Sequence, residues 1–209
     1  MLTGYTKNDL GVIEQTDKNF SVAYDLSYVQ SRYDTYGEQG RNMAHLRLGY
    51  IIGAMSRVPA SVLDVGYGNG DFLRVCRELI SDVNGNDISQ YPLPDGCNFV
   101  ADIHSRHFDV VCFFDSLEHF TNIDFVQNLD ANYVVVSLPW CHYLNDEWFA
   151  NWKHRRPGEH FWHFNDSTLP AFMKSQGYEC ISLTSIEDLI RKPKDGLPNI
   201  LSAVFKRAK

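Results

Sequence analysis

No stretch of this chain is long and apolar enough to span a membrane, and nothing in it repeats. The first residues, Met1-Leu2-Thr3-Gly4-Tyr5-Thr6-Lys7, lack the basic and apolar regions of a secretory signal. Cysteine is scarce and scattered. Cys76, Cys97, Cys112, Cys141 and Cys180 form no CxxC pair, which argues against both a disulfide framework and a thiolate zinc site. A reducing, cytoplasmic compartment is the expectation that follows. Basic charge is also short. Lys and Arg number 19 against 26 Asp and Glu, a net charge of −7, so no global field draws the chain to nucleic acid. What remains is ordinary for a globular protein: 209 residues, 44% hydrophobic and 22% charged, enough for one substantial core.

The stretch that organises the rest is Ser61-Val62-Leu63-Asp64-Val65-Gly66-Tyr67-Gly68-Asn69-Gly70-Asp71-Phe72-Leu73. A short apolar run breaks into alternating glycines and resumes with helical spacing, which predicts a strand, a tight turn and a helix. Glycines let the backbone approach a ligand closely, and the helix start aims free N–H groups at it. The pattern is Asp-x-Gly-x-Gly-x-Gly, unlike the Gly-x-Gly-x-x-Gly of dinucleotide enzymes. Asp64 beside the turn would repel a pyrophosphate and accept hydrogen bonds from an amine. The expected ligand is therefore nucleoside-like and carries an ammonium group. Asp87 closes a second short strand, Val83 to Ser89, about 20 residues past the turn, the spacing of a ribose-binding carboxylate.

Val62-Leu63-Asp64-Val65-Gly66-Tyr67-Gly68-Asn69-Gly70 resembles the first motif of class I methyltransferases that use S-adenosylmethionine. The resemblance runs from about Val62 to Phe205. It implies an α/β fold: a Rossmann-like, seven-stranded, mostly parallel sheet flanked by helices, with an antiparallel C-terminal strand. On this reading residues 1–57 are an N-terminal arm and helical cap, and 58–209 the methyltransferase domain. The resemblance further implies a cofactor site of Asp64, Gly66, Tyr67, Gly68, Asn69 and Gly70, with Asp87 and Ile88 as the second motif. Asp102 and Ile103 would follow a third strand, Asn98 to Ile103, with Asp102 on the adenine amino group. Ser116 and Leu117 would follow the fourth strand, which starts at Phe108 and runs continuously apolar, as a strand buried on both faces does. Asp115-Ser116-Leu117-Glu118-His119 there is similar to the Leu-Glu-His of many small-molecule methyltransferases.

Elsewhere the readings are coarser. Residues 1–20 read as a mobile or loosely docked arm. Tyr24, Tyr28, Tyr33 and Tyr36 read either as a helix packed on the core or as a lid. Asn42 to Met55 has helical spacing and stops before Pro59, with Arg41 and Arg47 flanking its apolar face. Ile123, Val126 and Leu129 give a short helical face. Tyr133 to Pro139 is a fifth strand, Thr168 to Gln176 a helix, and Glu179–Thr184 with Asn199–Phe205 an antiparallel pair around a loop at 190–198.

After Pro139 the chain is crowded with Trp, His and Phe. Pro157-Gly158-Glu159-His160-Phe161-Trp162-His163-Phe164 resembles a signature of one subset of the family. Since the first strand ends serve the donor, this segment is expected to bound the acceptor with Trp148, Trp152, His160, Trp162 and His163. Aromatic faces with few polar groups suit a small-molecule or sugar acceptor, methylated at oxygen. His160 is the expected catalytic base, or else a loop-holding residue, with His119 the second candidate. Lys153 to Arg156 is either a solvated face or a grip on an acidic acceptor. No metal is expected, because His104 and His107 lie in a polar loop. The chain is expected to act as a monomer or homodimer. Two rival readings stay open: a nucleic-acid methyltransferase, disfavoured because Asp115-Ser116-Leu117-Glu118 is not the Pro-Pro-Tyr or Pro-Cys type of motif, and a catalytically silent binding module.

Overall fold

The computed structural model describes residues 2–33, 36–194 and 196–208. Met1, the Tyr33 side chain and Asp195 lie outside the described residues, and so do the expectations that fall on them. In chain order the elements are β1 (Tyr5–Lys7), β2 (Ile13–Gln15), α1 (Leu26–Tyr33), α2 (Gly37–Met55), β3 (Ser61–Val65), α3 (Asp71–Cys76), β4 (Asp82–Asn86), β5 (Asn98–Phe99), β6 (Phe108–Phe114), β7 (Ala131–Pro139), α4 (Asp146–Asn151), β8 (Trp162–His163), α5 (Thr168–Ser175), β9 (Tyr178–Thr184) and β10 (Ile200–Arg207).

Seven strands form one sheet in the order β5-β4-β3-β6-β7-β10-β9. The pairs from β5 to β7 are parallel, and β10 lies antiparallel between β7 and β9. The sequence explains this centre: every residue of β3 and β6 is buried, as mostly apolar strands on a sheet covered on both faces require. One face carries α2 and α3, through Leu48, Ile51, Phe72 and Leu73. The other is covered by α5 and the loops, through Phe161, Leu169 and Phe172. Each such fully buried side chain contributes roughly 1.5–3 kcal/mol relative to exposure.

The chain runs outward from β3 to β4 and β5, then returns to β6 on the other side of β3. That reversal leaves a crevice at the carboxyl ends of β3 and β6, the place where open α/β sheets bind ligands. The glycine turn and the Asp115–His119 segment both open into it.

The N-terminal segment differs from its expectation. Instead of a mobile arm it forms a hairpin, β1 on β2, and β2 pairs with β8 to complete a second, three-stranded sheet. Val12 is fully buried in the main core, and Ile13 and Tyr5 are buried in a smaller cluster with Cys141 and Phe149. Three apolar side chains in a polar stretch suffice here because a buried partner strand waits for them. The third strand is shorter than expected, since only Asn98 and Phe99 pair with β4, leaving Asp102 and Ile103 in the following turn. The Ile123–Leu129 face is a 3-10 turn over Asp124–Asn128, not an α-helix. Among the described residues, no helix is long and apolar enough to cross a membrane.

Candidate functional site

The turn after β3 is built by its glycines. Gly66 (φ +84°) and Gly70 (φ +76°) both hold left-handed backbone, where side chains are strained. A Cβ on Gly66 would stand 2.7 Å from the Cβ of Ser116, so the β3 and β6 ends approach as closely as backbone permits. The Gly68 N–H donates to Asp87 Oδ2 at 2.9 Å, and Ser89 N–H donates to Asp87 Oδ1 at 2.8 Å. The second-strand carboxylate is thus tied directly to the turn. Asp64 sits beneath it, 2% exposed, and its Oδ1 has no hydrogen-bond partner among the described residues. Burial raises its carboxyl to about 7, against the pull of Arg47.

Asp64 and the turn open into a pocket of about 750 Å³, within the usual range for a small-ligand site, while Asp87 stands just outside its lining, joined to it through the Gly68 N–H. Asp64, Gly66, Tyr67, Gly68 and Asn69 line it, together with Glu118, His119, His160, Lys153 and Arg156, and with Tyr28, Met43 and Arg47 from the helices. Other expected cofactor residues stand apart from this lining. Gly70 shapes the turn, and Ser116 donates to the Val65 carbonyl at 2.6 Å. Leu117 is fully buried in the core, and Ile103 packs against it. Ile88 is 80% exposed beside Asp87. Asp102 is exposed and accepts from the His104 N–H at 2.9 Å, closing its own turn.

The aromatic acceptor wall expected after β7 is corrected by the structure. Of its members, His160 reaches the pocket lining. Trp162 is buried and donates to the Phe120 carbonyl at 2.7 Å. His163 packs between Tyr5, Phe149 and Trp152, and Trp148 stacks on Trp152. These rings were claimed by the N-terminal hairpin, whose docking the sequence did not reveal. That hairpin fixes the segment bearing His160, through Gln15 N–H to the Phe161 carbonyl at 2.8 Å and Gly158 N–H to Gln15 Oε1 at 2.9 Å.

His160 lies 4% exposed, and burial together with neighbouring His119 pushes its imidazole down to about 2. Burial thus disfavours the protonated ring that a general base must become. Burial lowers His119 as well. Glu118 moves the other way: burial first, then the nearby Asp115 charge, raises its carboxyl well above the ordinary value.

An ionic network that the sequence did not disclose closes the back of the pocket. Arg47 Nε donates to Glu187 at 2.8 Å and one of its terminal nitrogens to Asp115 at 3.3 Å. Arg191 grips both oxygens of Asp115. Burial alone would raise the Asp115 carboxyl, but the two guanidiniums hold it below the usual carboxylate range. Asp115 keeps a left-handed backbone (φ +51°), unusual for a non-glycine residue, and its two-arginine clamp holds it there.

The strand order, the reversal at β3 and β6, and the glycine turn define a Rossmann-like methyltransferase fold. A family described as "Methyltransferase domain" matches residues 38–183, and the chain belongs to that family of S-adenosylmethionine-dependent methyltransferases. No curated protein matches the chain. Among solved structures, it is similar to the 1,6-didemethyltoxoflavin-N1-methyltransferase of Burkholderia thailandensis, with bound 1,6-didemethyltoxoflavin and S-adenosylhomocysteine (13% identity, 98% of this chain and 99% of that one, TM-score 0.61). It is also similar to the magnesium protoporphyrin IX methyltransferase of Synechocystis PCC 6803 with bound S-adenosylhomocysteine (15%, 88% and 96%, 0.60). A third is an S-adenosylmethionine-dependent methyltransferase from Clostridium acetobutylicum (8%, 88% and 98%, 0.61). At these identities the likeness is one of fold.

Proposed function

We propose that the protein transfers the methyl group of S-adenosylmethionine to a hydroxyl of a small-molecule or sugar acceptor that carries an acidic substituent. The carrying observation is one pocket lined by groups of unlike charge preference. The glycine turn and the unpartnered oxygen of Asp64 line it, and so do exposed Lys153, Lys192 and Lys194. An ammonium suits the first and an anion the second.

Methyl transfer from a sulfonium is an in-line displacement with an already activated donor, so positioning and exclusion of water are what the chain supplies. In this reading Asp64 receives the donor's ammonium group and Asp87 its ribose hydroxyls. The Gly66–Gly70 turn lies against the nucleoside, with Ser116 packed beneath Gly66 and Ile88 exposed beside Asp87. His119 and His160 bound the acceptor end as unprotonated rings. Two of the similar structures are named for small acceptors, 1,6-didemethyltoxoflavin and magnesium protoporphyrin IX, which supports a small molecule here.

The test is incubation of the full-length protein with methyl-labelled donor and a fractionated extract of its source. Label is expected in an anionic small-molecule or sugar fraction. Label confined to nucleic acid or protein overturns the acceptor class.

A further inference from the structure

Three side chains, Glu118, His119 and His160, converge on the pocket lining. Glu118 is 1% exposed, and neither of its carboxylate oxygens has a hydrogen-bond partner among the described residues. Burying a carboxylate with no partner is costly, and such orphaned groups call for an explanation. His119 follows it in the 3-10 turn Leu117–His119, and His160 arrives from the segment before β8. The two imidazole rings stand 4.6 Å apart, nearly perpendicular.

Their tautomers are fixed by backbone. His119 Nδ1 lies 2.8 Å from the Glu159 carbonyl, and a carbonyl can only accept, so Nδ1 carries the proton and Nε2 the lone pair. The Tyr24 hydroxyl, 2.8 Å from the same Nδ1, shares that N–H as a second acceptor. His160 Nδ1 donates likewise to the His154 carbonyl at 2.9 Å, freeing its own Nε2. His119 Nε2 is 3.9 Å from Glu118 Oε1, too far for a hydrogen bond. One ligand atom from each of the three residues lies within 4.8 Å of the other two.

The geometry points to a binding site for a divalent first-row transition cation, formed by Glu118, His119 and His160 and open to the pocket. Two neutral imidazoles and one carboxylate suit Zn²⁺, Fe²⁺ or Co²⁺, whereas Mg²⁺ and Ca²⁺ favour oxygen alone. Ligand atoms held about 2.1 Å from a tetrahedral ion stand roughly 3.4 Å from one another, so side-chain rotations of about 1 Å would complete the set. Donation of the other ring nitrogen to a backbone carbonyl is the outer support that orients metal-binding histidines. The cation would also answer the orphaned charge of Glu118. No sequence spacing announced this set, because Glu118 and His119 meet His160 only through the fold.

Binding itself is independent of the methyl-transfer reading. A use in catalysis rests on that reading: an acceptor hydroxyl on an open coordination position would give its proton to pocket water. Its oxygen would then bond to the methyl carbon as the carbon–sulfur bond breaks, the electron pair staying on sulfur.

The experiment titrates full-length, chelator-treated protein with Zn²⁺ and, separately, with Co²⁺. One Zn²⁺ per chain is expected. Glu118→Gln and His160→Asn should each weaken it by more than about 100-fold, beyond the loss typical of outer-support residues. His107→Asn, at an exposed ring, should leave it unchanged. The Co²⁺ spectrum of the unaltered protein is the second readout, independent of how the variants fold. Visible d–d bands without thiolate charge transfer support the site. Thiolate bands, substoichiometric Zn²⁺, or variants that bind as tightly as the unaltered protein overturn it. S-adenosylmethionine binding is measured on the same samples: donor binding without Zn²⁺ binding removes the metal site and leaves the methyltransferase reading standing.

Discussion

Replacing Asp64 by Asn separates the cost of a buried carboxylate from its use. Burial raises the Asp64 carboxyl from its ordinary 3.8 to about 7. Between those values the folded chain keeps a proton that the unfolded chain has released. Stability therefore falls as pH rises through this window, and levels off above it. The window is about three pH units wide, and at about 1.4 kcal/mol per unit this group removes about 4 kcal/mol of stability between pH 4 and pH 8. Full burial leaves no solvent screening to discount. Asn has no charge to bury. Urea denaturation across that range should therefore find Asp64→Asn gaining on the unaltered protein by about 4 kcal/mol as pH rises. Donor binding should move oppositely, since an ammonium against this position needs the carboxylate, and the variant's deficit should grow toward pH 8. A stability difference that stays flat with pH would refute the raised carboxyl and the account of its unpartnered oxygen.

Two further outcomes test the surroundings of the site. Asp115→Ala leaves Glu187 as the remaining carboxylate shared by the Arg47 and Arg191 guanidiniums, and should cost roughly 3 kcal/mol in denaturant unfolding; a change below about 0.5 kcal/mol would mean the clamp is not formed in solution. Val12→Ala empties a fully buried position and should cost about 2 kcal/mol, whereas a free N-terminal arm would show no loss.

The parts of the molecule that sequence disclosed are those written in consecutive residues. The Val62–Gly70 run carries its strand, its turn and its ligand chemistry together, and the apolar run from Val110 to Phe114 reads as a strand covered on both faces. The parts that stayed hidden depend on partners far along the chain. Arg47 reads as a polar flank of α2 until Glu187 and Asp115 are brought to it. Arg191 sits in a loop with no pattern of its own. Strands of three residues, such as β1 and β2, are too short to show alternation, and their docking diverted His163, Trp152 and Trp162 from the acceptor pocket. Glu118 was visible within Leu-Glu-His, but its two unpartnered oxygens appear only when the fold buries it.

The central claim is that the turn after β3, tied to Asp87, binds S-adenosylmethionine. Calorimetric titration of the donor into the full-length protein and into Asp87→Ala tests it most directly. One donor per chain is expected. The variant should lose charge-assisted hydrogen bonds worth about 1.5–3 kcal/mol, a fall in affinity of roughly 10- to 150-fold. No measurable heat with the unaltered protein, or an Asp87→Ala affinity equal to it, would contradict the account.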